Sequence, residues 1–413
     1  MRPVVLVPRR PWEGRRIVLG VTGGVAAYKS IQLARDLTRL GAVVDVVLTE
    51  AAQRFVTPLS FEAVTGRHVY TEMFSADGAA LHVRLGREAE AVCVAPATAD
   101  FVARAAQGRA SDLLCTTLLA TRAPVLLCPA MNDQMYVHPQ VQTNLDHVRE
   151  RLGYEVVGPA MGPLAVGEGV GPGRMVEPSD IVAHVGRALG RVPEWAGRRV
   201  LVTAGPTREA LDPVRYLGNR SSGRMGYALA AAAWRRGGDV TLVSGASPLD
   251  PPVGIDVVRV ESAREMHQAV DARVADADVA IFAAAVADYR PVEAREDKIK
   301  RAGEGADLTV ALTANPDIAR EALARRRPGS VAVGFALETS SLVENARKKL
   351  VSKGFDLLVA NDATEEGSGF DVETNRVTIL SGDQAPEALP LTSKDGVAEE
   401  VLDRVTERFG ARP

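Results

Sequence analysis

Aromatic side chains are scarce, with Phe, Tyr and Trp making up 5% of the 413 residues. A core of this size must therefore be filled mainly by Ala, Val and Leu. Cysteine is rarer still, and Cys93, Cys115 and Cys128 all lie in apolar stretches. None forms a CxxC pair, and their odd number argues against a disulfide framework, which points to buried thiols in a reducing cytoplasm. The six histidines are scattered without metal-ligand spacing, so no zinc site is expected. No apolar run reaches the length of a membrane-spanning helix. The basic N-terminus MRPVVLVPRRP has too short an apolar stretch for a signal peptide. A formal net charge of −3 supplies no electrostatic case for nucleic acid or an anionic membrane as partner. These absences together predict a cytoplasmic protein.

The chain is too long for one ordinary core, and two domains of roughly 200 residues are the natural division. Hydrophobic content of 46% and charged content of 24% match a globular protein. Two strand–glycine–helix openings are present, RIVLGVTGGVAAYKS from residue 16 and RVLVTAGPTRE from residue 199. In the first half, strands are expected at Ile17–Val21, Val43–Leu48, Ala91–Ala95 and Val125–Cys128, with a helix over Val25–Leu40. In the second, strands are expected at Val200–Thr203, Val240–Ser244, Val279–Ala283, Val331–Phe335 and Leu357–Ala360, with a helix over Gly226–Arg236. Val377–Leu380, after a turn at Thr374–Asn375, reads as a closing edge strand. Continuous apolar runs mean strands buried on both faces, hence parallel sheets flanked by helices. The predicted fold is α/β in both halves, flavodoxin-like (Rossmann-type) first and Rossmann-like second. The domains are placed at 1–197, with an extension at 1–14 and a linker near 190–197, and at 198–413.

Function in such sheets gathers at the carboxyl ends of the strands. Thr22–Gly24, Thr49, Pro96–Thr98 and Pro129–Asn132 all fall there. Neither glycine turn spaces as GxGxxG or as a Walker A loop. Glycines at a strand–helix turn still admit close backbone approach, and a helix N-terminus attracts phosphate; the alternative is a tight turn needing small residues. Asn132 offers a donor and an acceptor, yet an Asn after a strand is commonly a turn residue. His82 by itself reads as structural or exposed. In the second half, Gly205–Arg208 and Ser221–Gly226 form a plausible phosphate cradle. Lys298 and Lys300 lie in the charged stretch Glu293–Arg301, either a solvated loop or a cationic lid over a triphosphate. The basic residues Lys348, Lys349 and Lys353 read as a solvated helix face.

From about residue 15 to the C-terminus the sequence resembles the bifunctional phosphopantothenoylcysteine decarboxylase / phosphopantothenate–cysteine ligase family of coenzyme A biosynthesis. The blocks that carry the resemblance are LGVTGGVAAYKS, VLTEAA, APATAD, CPAMNDQMY, GEGVGPGRM, TAGPTRE, LDPVRYLGNRSSGRMG, AAAVADYRP, KIK, NPDIA and VGFALET. The resemblance implies an FMN-dependent decarboxylase in the first half, with His82 and Asn132 as catalytic residues and Gly23, Gly24, Thr49 and Thr98 at the flavin. FMN would oxidise the sulfur end of the substrate, supplying an electron sink for loss of carbon dioxide. The second half would be a ligase in which CTP, with Mg2+, activates 4′-phosphopantothenate as an acyl-cytidylate that the cysteine amine attacks. Asn219 would hold that intermediate and Lys298 would be the lid lysine. Ala283, Ala284, Asp288, Pro316, Asp317, Ile318, Ala319, Phe335, Lys349 and Lys353 would bind the nucleotide. No metal ligand is assignable.

One position departs from the pattern. Where the family carries a proton-donating cysteine in a segment like LACGxxGxGR, this chain reads LAVGEGVGPGR and has Val166. Valine cannot donate a proton. The alternative reading is therefore a ligase whose decarboxylase half stops at the enethiol, or serves only as a flavin-binding regulatory or assembly module. A pyridine-nucleotide dehydrogenase is a third possibility, opposed by the missing fingerprint. The family's assembly implies a homo-oligomer, a dodecamer of decarboxylase trimers with flavin at subunit contacts and dimeric ligase halves.

Overall fold

The computed structural model describes residues 10–74, 80–164, 167, 169–300, 308–338, 341–362, 365, 367, 369, 372–382 and 384–409. Val166 lies outside them. The described residues divide into two compact units, one within 10–190 and the other within 191–409.

The first unit is built on a six-stranded sheet. Its spatial order is Val69–Tyr70, Val43–Leu48, Arg16–Val21, Ala91–Ala97, Val125–Pro129 and Glu155–Val156. All neighbouring pairs are parallel. Without the two-residue edge strand Val69–Tyr70, the order in chain rank is 2-1-3-4-5, the flavodoxin-like arrangement. One face packs Ile17, Leu19, Leu33, Leu37, Phe61 and Ile181; the other packs Val18, Val92, Phe101, Leu114 and Leu145. Apolar residues on both faces are why these strands read as unbroken runs. The first helix spans Ala27–Arg39, slightly inside the expected Val25–Leu40. A two-stranded antiparallel ribbon, Ala160–Pro163 with Val170–Arg174, was not legible in the sequence.

The second unit carries an eight-stranded sheet. Its order is Asp256–Arg259, Asp239–Ser244, Arg199–Ala204, Val279–Phe282, Val331–Glu338, Leu357–Asp362, Thr378–Leu380 and Glu387–Ala388. The first six are parallel and rank 3-2-1-4-5-6, the Rossmann-type order. Thr378–Leu380 then adds antiparallel to Leu357–Asp362.

Two expectations fail here. Thr378–Leu380 is not the edge, because Glu387–Ala388 pairs on its outer side. Thr374–Asn375 is not a turn but a short strand paired with Thr392–Ser393. Both corrections concern strands of two residues, whose existence depends on distant partners and not on local pattern. No helix among the described residues is long and apolar enough to cross a membrane.

Candidate active sites

The first unit holds a cavity of about 980 Å³ at the carboxyl ends of its strands. Thr22, Gly23, Gly24, Thr49, Thr98 and Asn132 all line it. Thr22 directly follows the strand Arg16–Val21 and is buried. Its hydroxyl donates to Pro96 O at 2.8 Å and accepts from Thr98 N at 3.1 Å, tying two strand ends together. Thr98 caps the helix Ala99–Ala106 by accepting from Phe101 N. Thr49 similarly accepts from Ala52 N at 3.3 Å.

The paired glycines are placed differently. A Cβ on Gly23 would sit 2.4 Å from Ala51 Cβ, so packing inside the protein requires glycine there. A Cβ on Gly24 would come no closer than 3.6 Å to Thr98 Cγ2, so the protein leaves room for a methyl group there. Its absence widens the cavity instead. The helix Ala27–Arg39 begins beside this turn with no side-chain cap and no acidic residue in its first turn. That open N-terminus suits an anion.

Asn132 follows the strand Val125–Pro129 and its Oδ1 accepts from Gln134 N at 2.9 Å, so it caps a short helix while lining the cavity. The ribbon reaches the same cavity through Pro163, Gly173 and Arg174. Gly173 admits no side chain, because a Cβ would lie 2.2 Å from Met131 O. His82 stands apart. It is half-buried near the start of the helix Leu81–Glu88, its Nδ1 is enclosed without a hydrogen-bond partner among the described residues, and it does not line the cavity.

The three cysteines are core residues and none lines the cavity. Burial pushes the Cys115 thiol up to about 11. A hydrogen bond with Cys93, together with burial, raises Cys128 well above the ordinary thiol value. Lys29 and Arg104 also line the cavity and escaped the sequence reading, for neither occupies a strand end.

The second unit has a cavity of about 630 Å³, again at strand carboxyl ends. Asn219, Ala283, Ala284, Asp288, Pro316, Asp317, Ile318, Ala319, Phe335, Lys349 and Lys353 all line it. They come from five separate stretches of chain. Asn219 donates both amide hydrogens to the backbone, to Ala285 O at 3.1 Å and Val286 O at 3.2 Å. Its carbonyl oxygen is then the remaining polar group of the side chain. The helix Arg224–Arg235 starts at the cavity with Gly223 as its cap, at φ 85° and without a side-chain cap. Ser221, Ser222 and Arg224 stand around that N-terminus.

Lys349 pairs with Glu338 at 2.6 Å and Lys353 with Asp317 at 3.1 Å. These are the side chains read from sequence as a solvated face. The family resemblance, and not the charge pattern, picked them out. Lys298 is exposed and does not line the cavity. Asn361, Asn375 and Lys394 line it without having been singled out. Asn361 was findable, standing at the carboxyl end of a predicted strand. Lys394, nearly buried and donating to Gly369 O at 3.0 Å, carries no such signal.

Two parallel-sheet units, each with a cavity at its strand carboxyl ends, define a two-site α/β protein. Residues 7–190 match the family model Flavoprotein. Residues 195–409 match the DNA/pantothenate metabolism flavoprotein C-terminal domain. The chain is 46% identical over 399 residues to the coenzyme A biosynthesis bifunctional protein CoaBC of Vibrio cholerae, covering 96% of this chain and 99% of that one. It is 44% identical to CoaBC of Escherichia coli K12, covering 96% and 98%. A crystal structure of the C-terminal domain of a CoaBC protein is 38% identical with a TM-score of 0.46, covering 54% of this chain and all of that one. The chain belongs to the family of coenzyme A biosynthesis bifunctional proteins and is a bifunctional enzyme.

Proposed function

We propose that the second unit ligates 4′-phosphopantothenate to cysteine with CTP, and that the first decarboxylates the product to 4′-phosphopantetheine with FMN. One observation supports the ligase reading above others. Every residue named for the nucleotide and intermediate, Lys298 apart, lines one cavity although the chain brings them from positions 219 to 353. In that reading a poorly electrophilic carboxylate becomes an acyl-cytidylate, pyrophosphate leaves, and CMP is the leaving group when the amine attacks. Mg2+ would enter with the triphosphate, held largely by phosphate oxygens and water. Asp288 and Asp317 are the acidic residues on the wall, too few for an all-protein cage.

The first cavity fits FMN. Gly24 leaves room, the open N-terminus of Ala27–Arg39 suits the phosphate, and Thr49 and Thr98 offer hydroxyls on the wall. Bound flavin would supply the two-electron oxidation of sulfur that makes carboxylate loss feasible. Asn132 would orient the substrate carboxylate. His82 lies off the cavity of a single chain, which suits a homo-oligomer with flavin at subunit contacts.

Val166 favours a second reading of the last step, in which the first unit stops at the enethiol because no thiol stands ready to donate a proton. Mass spectrometry of the whole protein supplied with phosphopantothenate, cysteine and CTP separates these outcomes. A yellow protein forming saturated phosphopantetheine is expected from the full sequence of reactions. Accumulated enethiol selects the second reading. A colourless protein that consumes no CTP would overturn both.

A further inference from the structure

The turn between the short strands Arg208–Ala210 and Tyr216–Gly218 contains a carboxylate with more work than a turn requires. Asp212 is buried, and its side chain is fully enclosed. Oδ1 accepts from Val214 N and Arg215 N, both at 2.8 Å, which is ordinary turn chemistry. Oδ2 does something else. It accepts from Arg215 Nε at 2.9 Å and Nη2 at 2.6 Å, and from the amide of Ile299 at 3.0 Å. The Arg215 guanidinium in turn donates to Ile299 O. Both backbone polar groups of Ile299 are thereby held by one ion pair. A second tie, Arg295 N to Leu211 O at 3.0 Å, holds the same segment to the same turn. Burial alone would raise the Asp212 carboxyl. The amides of Ile299, Val214 and Arg215 and the guanidinium outweigh it and keep its pKa well below the usual carboxylate range.

Ile299 separates Lys298 from Lys300. Both lysines are exposed while Ile299 is half-buried. A segment gripped by its backbone at the middle residue presents its flanking side chains from a defined origin. The turn that grips it also leads, through Tyr216–Gly218, straight to Asn219 on the cavity wall.

We propose that Asp212, acting with Arg215, is a positioning residue of the ligase site, latching the Lys298–Lys300 segment through Ile299 so that Lys298 reaches the nucleotide from a fixed point. The proposal rests on the reading of Lys298 as the cation that serves CTP activation. Asp212 does not line the cavity, so its role is to position and not to bind.

The test is a double-mutant cycle in the full-length protein, following pyrophosphate release. Asp212→Asn keeps the shape but turns one acceptor into a donor, so one set of contacts breaks. Its kcat is expected to fall roughly tenfold to a hundredfold, as for a misplaced catalytic group, with KM for CTP little changed. In a Lys298→Ala background the same substitution should cost nothing further. Trypsin should cut the variant faster at residues 298–300, while bound flavin stays constant. If Asp212→Asn does not fold, Arg215→Lys carries the same cycle, since it keeps the charge and loses the planar fork. Losses that multiply independently of Lys298, or a wild-type kcat in a folded latch variant, would overturn the latch alone. Full activity in Lys298→Ala would overturn the lid role of Lys298 and the latch with it.

Discussion

Gly23 and Gly24 are adjacent and chemically identical, yet they carry different constraints. Gly23→Ala would drive a methyl into Ala51 and should destabilise the first unit by about 1–3 kcal/mol, the usual cost of overpacking. Gly24→Ala should leave stability nearly unchanged and instead lower flavin occupancy. Thermal denaturation of apoprotein and the visible absorbance of purified protein measure the two effects separately. Equal loss of stability in both variants would contradict the assignment of Gly24 to the ligand. Sequence alone left the two roles undivided, since the constraint on Gly23 comes from Ala51, on another strand's loop. Asn132 and Thr98 show the same limit. Each is a helix cap and a cavity residue together, so reading one as turn or ligand offered a choice the fold does not make.

Elements were legible where burial imposed a run. Val43–Leu48 and Val240–Ser244 have the strand character expected of them, because both sheet faces are covered and continuous apolar sequence follows. Ribbons were not legible. Thr374–Asn375 and Thr392–Ser393 are polar pairs whose strand geometry exists only through each other. The closing helix Lys394–Phe409 packs against Arg224–Arg235 through a charged cluster. Glu399 accepts from Arg235 at 2.8 Å and from Arg236 at 2.8 Å, and Asp403 also pairs with Arg236. Burial works against the Glu399 carboxylate, but the two guanidinium groups outweigh it and lower its pKa. A depressed carboxyl stabilises the fold above its unfolded value of about 4.3 and loses that contribution as pH falls through the folded value. Glu399→Gln should therefore cost about 3 kcal/mol at pH 7, as expected for breaking a largely buried pair. The gap to the parent protein should narrow below pH ~4. Chemical denaturation at both pH values checks this; a constant gap would show that the charge is not responsible.

At the scale of the whole molecule, each unit has its own apolar core and its own cavity. The two activities should then be separable. A fragment spanning 191–413 is expected to consume CTP and form the cysteine adduct without yellow colour, and one spanning 10–190 to bind flavin and consume no CTP. Flavin retained by the C-terminal fragment would reverse the assignment of cofactors to units. The ion-pair cluster on Glu399 and the latch on Asp212 lie wholly within the second unit, so neither substitution should disturb flavin in the first.

Sequence by itself determined the two parallel sheets, the strand ends at which the cavities open, and the family. Those features follow from local runs and short blocks, which hydrophobic burial and backbone geometry encode within a few neighbouring residues. Tertiary structure alone decided that Asn219 commits its amide to Ala285 and Val286, that Lys349 and Lys353 pair with Glu338 and Asp317, that His82 stands outside the first cavity, and that Asp212 grips Ile299. Each depends on residues far apart in the chain, whose proximity is set by packing and leaves no periodic trace in the order of amino acids.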